Sequence, residues 1–393
     1  MRTSRACLLS AALLVYAGFA SAYDGEVEKK VFELASYTTV GGAAIPNVRV
    51  GWESYGKLNA DRSNAILITH FFSGNSHAAG KYKPSDAAPG YWDAIIGAGK
   101  PIDTDKYFVL SSDTLVNLNT KDPNTTTTGP ATINPATGKP WGMAFPIVTI
   151  RDFVNVQKAL VESLGIRKLH AVIGASMGSL QAMEWGVAYP DMVDRVVPVI
   201  GTAEVNAFTI GWLDVWAAPI RLDPRWNKGD YYGKDEPIDG LALALKTVTI
   251  HAGHFGWADA AFGRKWAAAD RDPVKSWDNQ FMIVDVLDKA GQARAKASDA
   301  NSFLYLVRAN QLFTAGHGNS LEQSLAAIKA KVLFVPAESD LIFPPGDSTR
   351  AVDMLRRAGK SASAVTITGN RGHLDGVVGI GRVGEPIRQF LGQ

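Results

Sequence analysis

From residue 47 to residue 200 the chain alternates short apolar runs with amphipathic stretches. "NVRVGWESYGKL" (47–58) switches between apolar and polar positions, which predicts a strand entering a turn near Gly56. "NAILITHFF" (64–72) and "KYFVLSSD" (106–113) are continuous apolar runs rich in branched and aromatic residues, as expected of strands buried on both faces. "RDFVNVQKALVESLG" (151–165) places Phe153, Val154, Ala159, Leu160 and Leu164 towards one helical face and stops at Gly165. "KLHAVIG" (168–174), "LQAMEWGVAYP" (180–190) and "VDRVVPVIG" (193–201) then read as strand, helix, strand. Apolar strands joined through helices predict an α/β fold with a mostly parallel sheet and helices on both faces.

The rhythm breaks at 203–325, which reads as several helices and holds Trp212, Trp216, Trp226, Trp257, Trp266 and Trp277. It resumes with a strand in "KVLFVPAESD" (331–340), a helix over 347–358, a strand in "SAVTITG" (363–369) and a helix near 384–391. A helical insertion between two parts of one sheet is expected to form a lid. Residues 115–142 are polar and rich in turn formers, which predicts a long surface loop. The expected organisation is a core in two parts, 23–202 and 326–393, with a helical lid over 203–325.

The first 22 residues differ in kind. "MRTSR" is basic, "ACLLSAALLVYAGFA" is apolar, and "ASA" at 20–22 fits a small-x-small cleavage site. This is the layout of a secretory signal peptide, with an apolar part short for a membrane span. The expectation is a secreted or periplasmic protein with no stable membrane insertion after cleavage. Cleavage after Ala22 would remove Arg2 and Arg5, cancelling the net charge of +2, and also Cys7, the single cysteine. The mature chain would then have no disulfide, thiolate metal site or cysteine nucleophile. With no basic block, no nucleic-acid partner is expected. No metal or cofactor is expected either.

The candidate chemistry lies in "VIGASMGSLQAMEW" (172–185), where the pattern G-x-S-x-G spans a predicted strand-to-helix turn. Glycines on both sides let backbones approach closely and leave the Ser176 oxygen exposed above the sheet. A serine hydroxyl needs a base, and the base needs an acid to hold its tautomer. Chain order and position on loops after late strands favour Asp340 as acid, with Glu338 and Asp347 as alternatives, and His373 as base. His70 and His77 precede the serine, His170 falls in a strand, and His251, His254 and His317 fall in the insertion. The oxyanion donors are expected at the backbone N–H groups of Met177 and Phe72, the latter in "THFFSG" (69–74).

"PGYWDAIIGAGKPIDTDKYFVL", "TTGPATINPATGKPWG", "FPIVTIRDFVNVQKALVESLGI", "GASMGSLQAMEW", "DANSFLYLVRA" and "ESDLIFPP" resemble the homoserine O-acetyltransferase family from about residue 30 to the end. The resemblance implies an α/β-hydrolase fold with a helical lid, homodimerisation through that lid, and acetyl transfer through an acyl-serine. It places the nucleophile on Ser176, the acid on Asp340, the base on His373 and the oxyanion donors on Phe72 and Met177. Two features depart from it. The family has an aspartate directly after the catalytic histidine, to hold the substrate amine, where this chain has Leu374, with Asp375 one place late. The family's carboxylate-gripping lid arginine has no counterpart in "LKTVTIHAGHFGW", and Arg264 is the nearest candidate. Acetyl-CoA is cytoplasmic, whereas this chain carries an export signal. The expected activity is therefore an exported carboxylesterase acting on a small-molecule ester with a small or medium acyl group. The alternatives are homoserine O-acetyltransferase and a catalytically silent binding protein on the same fold.

Overall fold

The computed structural model describes residues 25–393, so the predicted signal peptide lies outside the described residues. Eight strands form the central sheet: β1 (Lys30–Thr38), β2 (Ala44–Tyr55), β3 (Ala65–Thr69), β4 (Phe108–Ser112), β5 (Ala171–Ala175), β6 (Arg195–Val199), β7 (Lys331–Phe334) and β8 (Ala362–Ala364). Their order is β1-β2-β4-β3-β5-β6-β7-β8. The β1/β2 and β2/β4 pairs are antiparallel and the remainder parallel.

The apolar strands alternate between two cores. Leu67, Val172 and Val196 point into one, while Ile66, Ile68, Ile173 and Val197 point into the other. The first core is filled from α1 (Ile150–Ser163) and α2 (Met177–Ala188), the second from α11 (Gly384–Leu391) and the segment around Trp92. This is an α/β-hydrolase fold.

Strand β1 has no counterpart among the predicted elements, because this edge strand half-buries few apolar side chains, chiefly Phe32, Leu34 and Tyr37. The strand expected over 363–369 stops at Ala364, after which only Ile367 bridges back to Ala337. The expected surface loop 115–142 starts inside the protein, with Leu115, Val116, Asn117 and Leu118 all buried. The polar members of that segment serve the backbone, as where the Asn117 amide donates to Gly74 O (3.0 Å).

Helices α3 (Ala207–Leu222), α4 (Ile238–Ala252), α5 (Phe255–Ala261), α6 (Met282–Ala295) and α7 (Ala300–Gln311) make up the insertion. α4 packs on α3 and α6, and α7 on α3. α8 (Leu321–Ala327) instead packs on α2 and on α9 (Pro345–Arg357), so the helical layer ends before α8 rather than at 325. The insertion's tryptophans do not act alike, since Trp216 is core and Trp277 is almost wholly exposed. Trp216 of α3 and Phe303 of α7 both meet the Phe72 ring edge-on, which sets the helical layer over the loop after β3. Among the described residues no helix is long and apolar enough to cross a membrane.

Two polar devices orient the elements beneath the site. Thr149 and Asp152 form a reciprocal capping box at the start of α1. The same carboxylate accepts from Tyr37 Oη and Val40 N, both at 2.7 Å, and so fastens α1 to the β1–β2 hairpin. Deeper in, Trp185 Nε1 donates to Gln157 Oε1 (2.9 Å), Gln157 Nε2 to Gln181 Oε1 (2.6 Å), and Gln181 Nε2 to His70 O (3.2 Å). This buried chain links α1, α2 and the loop that carries Phe72. Gln181→Met would keep the volume but leave the Gln157 amide and the His70 carbonyl without partners. It should cost about 1–3 kcal/mol in urea denaturation, and displace the loop that carries Phe72.

Candidate active site

Ser176 closes β5 and opens α2 with φ 55° and ψ −121°, a strained conformation for a side-chain-bearing residue. The turn is possible because its neighbours lack side chains. A Cβ at Gly174 would stand 2.0 Å from Thr69 Oγ1, and one at Gly178 would stand 2.0 Å from Thr69 O. Thr69 Oγ1 donates to Gly178 O (2.7 Å), and Ser176 N donates across to Val199 O (3.0 Å). The corner is thus pinned from β3 and β6 at once.

Asp340 and His373 converge on it from two later loops. Asp340, on the loop after β7, is buried; its Oδ1 accepts from Ile342 N (2.8 Å) and Phe343 N (3.1 Å). His373 sits in the turn Gly372–Leu374 ahead of α10 (Asp375–Val378). Ser339 Oγ ties the two loops together, donating to Gly369 O (2.8 Å) and accepting from Gly372 N (3.0 Å). His373 Nδ1 lies 2.8 Å from Asp340 Oδ2, and Nε2 lies 2.7 Å from Ser176 Oγ. A carboxylate can only accept, so Nδ1 carries the hydrogen and Nε2 is left to accept from the serine hydroxyl. The N–H groups of Phe72 and Met177 have no acceptor among the described residues. This arrangement can pass the serine proton to an imidazole as Oγ attacks a carbonyl.

Other candidates lie elsewhere. Asp375 is buried, but its carboxylate accepts from Arg382 Nη1 (2.7 Å) and Arg371 N (2.9 Å), so it braces its own loop rather than facing a substrate amine. Arg264 is exposed over the Phe281 ring and does not line the cavity at Ser176. Glu338 is exposed and accepts from Gly369 N (3.3 Å). Asp347 lies in the first turn of α9. Burial lowers the pKa of both His70 and His251 to about 4, so neither is charged at neutral pH.

The cavity over Ser176 holds about 300 Å³. Its walls are mostly apolar, from Phe71, Phe72, Trp216, Ile342, Leu374 and Val378, with Ser73, Thr249 and Arg294 as polar members besides the reacting groups. Arg294 escapes a reading of the sequence. In "KAGQARAKASD" it looks like one more charge on a solvated helical face, and only the packing of α6 on α4 turns it inward. Among the described residues, no group of three or more histidine, cysteine, aspartate or glutamate side chains could hold a metal ion.

A family profile describing the alpha/beta hydrolase fold matches residues 87–378. A homoserine O-acetyltransferase of Methanosphaerula palustris is 40% identical over 89% of this chain and 70% of its own. The crystal structure of esterase E22 is similar at 52% identity and TM-score 0.89, covering 93% of this chain and 100% of that one. The crystal structure of homoserine O-acetyltransferase from Bacillus anthracis is similar at 37% identity and TM-score 0.90, covering 94% and 98%.

Two substitutions test the geometry with p-nitrophenyl acetate as substrate. Ser176→Ala should leave a folded protein without turnover above background. Asp340→Asn should lower kcat by about 10⁴-fold, because the amide favours the wrong imidazole tautomer. A larger loss in Glu338→Gln would show that the acid is the other carboxylate.

Proposed function

The chain belongs to the homoserine O-acetyltransferase-like α/β-hydrolase family, and on that premise we propose that it is a serine esterase using Ser176, His373 and Asp340. In the first half-reaction Ser176 Oγ attacks the ester carbonyl and His373 Nε2 takes its proton. The N–H groups of Phe72 and Met177 hold the oxyanion, and the alcohol departs with the proton from His373. Water then enters along the same path and loses a proton to His373, and the adduct collapses to the acid as His373 returns that proton to Ser176 Oγ. Asp340 keeps the imidazole in register throughout and stabilises its charged form.

The observation that carries hydrolysis over transfer is Leu374. It stands on the cavity wall next to His373, and no carboxylate lines the cavity. The nearby carboxylate of Asp375 is taken up by Arg382. An amino-acid acceptor would shed water from its ammonium there and find no acid to pair with, a loss of several kcal/mol. Water needs no such partner. The 52% identity to an esterase supports the same reading. Acetyl transfer to homoserine is the second reading, supported by the names of the curated relatives.

Export is part of the proposal and rests on the N-terminal sequence; mature protein from the periplasm or medium should begin near Tyr23. A homodimer through the lid is supported by the exposed side chains of Val215 and Leu222 on α3 and Leu243 on α4. Leu222→Asp should convert that dimer to monomer in light scattering.

The acceptor itself is tested with p-nitrophenyl acetate as donor, so that coenzyme supply plays no part. Millimolar homoserine should leave the rate of deacylation unchanged, and acetate should be the product by mass spectrometry. Acetyl-homoserine forming faster than acetate would establish the transferase instead.

A further inference from the structure

Arg294 is half-buried in the last turn of α6 and lines the same cavity as Ser176 and His373. Its single hydrogen bond among the described residues runs from Nη1 to Thr249 Oγ1 (2.9 Å). The Thr249 hydroxyl spends its own hydrogen on Leu245 O (2.8 Å), so it is an acceptor towards the guanidinium. One of the five guanidinium N–H donors is thus fixed, and the others have no partner among the described residues.

Among the described residues no carboxylate is within ion-pair distance of Arg294. Burial alone pushes its pKa below the usual arginine value, with no neighbouring acid to offset the loss of water. Three other arginines, by contrast, each meet a buried carboxylate: Arg151 with Glu184, Arg225 with Asp223, and Arg382 with Asp375. A helix C-terminus favours a cation, but a side chain left in water meets that need as well. The exposed Lys296 already stands at that end of α6. The helix dipole therefore does not account for an arginine turned across α4 onto the cavity.

A cation half withdrawn from water with no acid beside it gains from an anion that arrives to pair with it. We propose that the ester hydrolysed at Ser176 carries a free carboxylate, which Arg294 binds at the far wall while the scissile carbonyl sits at the serine. This inference rests on the esterase reading above and deepens it to a substrate class. The substrate is small enough for a cavity of about 300 Å³. It is either a half-ester of a short dicarboxylic acid, with the anion on the acyl side, or an acyl ester of a short hydroxy acid, with the anion on the alcohol side. The apolar walls take the methylenes between ester and carboxylate. Thr249 holds one edge of the guanidinium, so the remaining edge can meet both carboxylate oxygens.

Two matched pairs of esters separate the sources. Monomethyl and dimethyl glutarate, followed by methanol release, place the anion on the acyl side. 4-Acetoxybutyrate and its methyl ester, followed by acetate release, place it on the alcohol side. The readout is the ratio of kcat/KM for the anionic ester to that for its neutral mate, in wild type, Arg294→Met and Arg294→Lys. Active sites are counted by labelling with a fluorophosphonate. In one pair the Arg294→Met ratio should fall roughly 10- to 100-fold, the worth of a charge-assisted hydrogen-bond pair. Most of that fall should be in KM, and Arg294→Lys should recover part of it. The pair that responds identifies the side on which the anion lies. Ratios in both pairs that stay within threefold of wild type in Arg294→Met, with labelling intact, overturn the proposal. Loss of labelling and of neutral-ester turnover in the wild type would instead sink the esterase reading itself.

Discussion

The site depends on how closely two backbones can approach at the end of the sheet. Between β5 and α2 the chain reverses with no room for a Cβ at Gly174 or Gly178, because Thr69 of β3 fills that space with its hydroxyl and its carbonyl. The left-handed backbone at Ser176 follows from the same crowding. One geometric constraint therefore sets the height of the serine, frees the Met177 N–H at the helix start, and fixes the distance to the loop that begins at His70. The strain at Ser176 costs on the order of 1–3 kcal/mol. It is supported by the parallel ladder of β5 between β3 and β6 and by the contacts of α2 with both α1 and the sheet.

The loop after β3 is held from below by charge as well as by packing. Glu53, buried in β2, accepts from Tyr82 Oη (2.6 Å) and Tyr55 Oη (2.8 Å) and pairs with Lys29 Nζ (2.7 Å). Burial alone would raise its pKa, but hydrogen bonds from His77, Lys29 and Tyr82 outweigh burial and hold it below the usual carboxylate range. Asp113 receives Ser76 N (2.7 Å) and Thr126 N (2.8 Å), and burial raises its pKa to about 6. Residues 70–78 thus lie between this polar layer and the helices above, with Phe72 wedged among Trp216 and Phe303. A donor N–H held from both sides needs no rearrangement when charge develops next to it.

Much of this was legible in the sequence, and for physical reasons. Doubly buried strands such as Ala65–Thr69 declare themselves as unbroken apolar runs, and an elbow needs glycines at fixed spacing around a serine. Asp340 and His373 stand out because each follows a strand, and the structure brings both to Ser176. The edge strand β1 was not legible, since half of its side chains face water. The inward start of the loop at 115–118 was hidden by polar side chains whose partners are backbone groups 40 or more residues away. Arg294 was hidden because a charge on a helix looks solvated until the packing of α6 on α4 is known. Arg264 is the converse case, exposed over the Phe281 ring and away from the cavity wall. Nearness in sequence to an expected contact says nothing of which way a lid helix faces.

The contact between Asp375 and Arg382 bears on how such a site could change its chemistry over time. Asp375 is held by a guanidinium and a backbone N–H, and a Cβ at Gly369 or Gly379 would collide with its carboxyl group. The loop therefore has no slack with which to slide this acid one position back towards the cavity. An ancestor and a descendant differing in acceptor need not be separated by a rebuilt loop, because residue 374 already faces the reacting atoms. A crossing between water and an amine-bearing acceptor would start with the identity of that one side chain, with a partner for the acceptor's carboxylate still to be met elsewhere on the cavity wall. Asp375 stays where it is on either side of the crossing, as part of the scaffold.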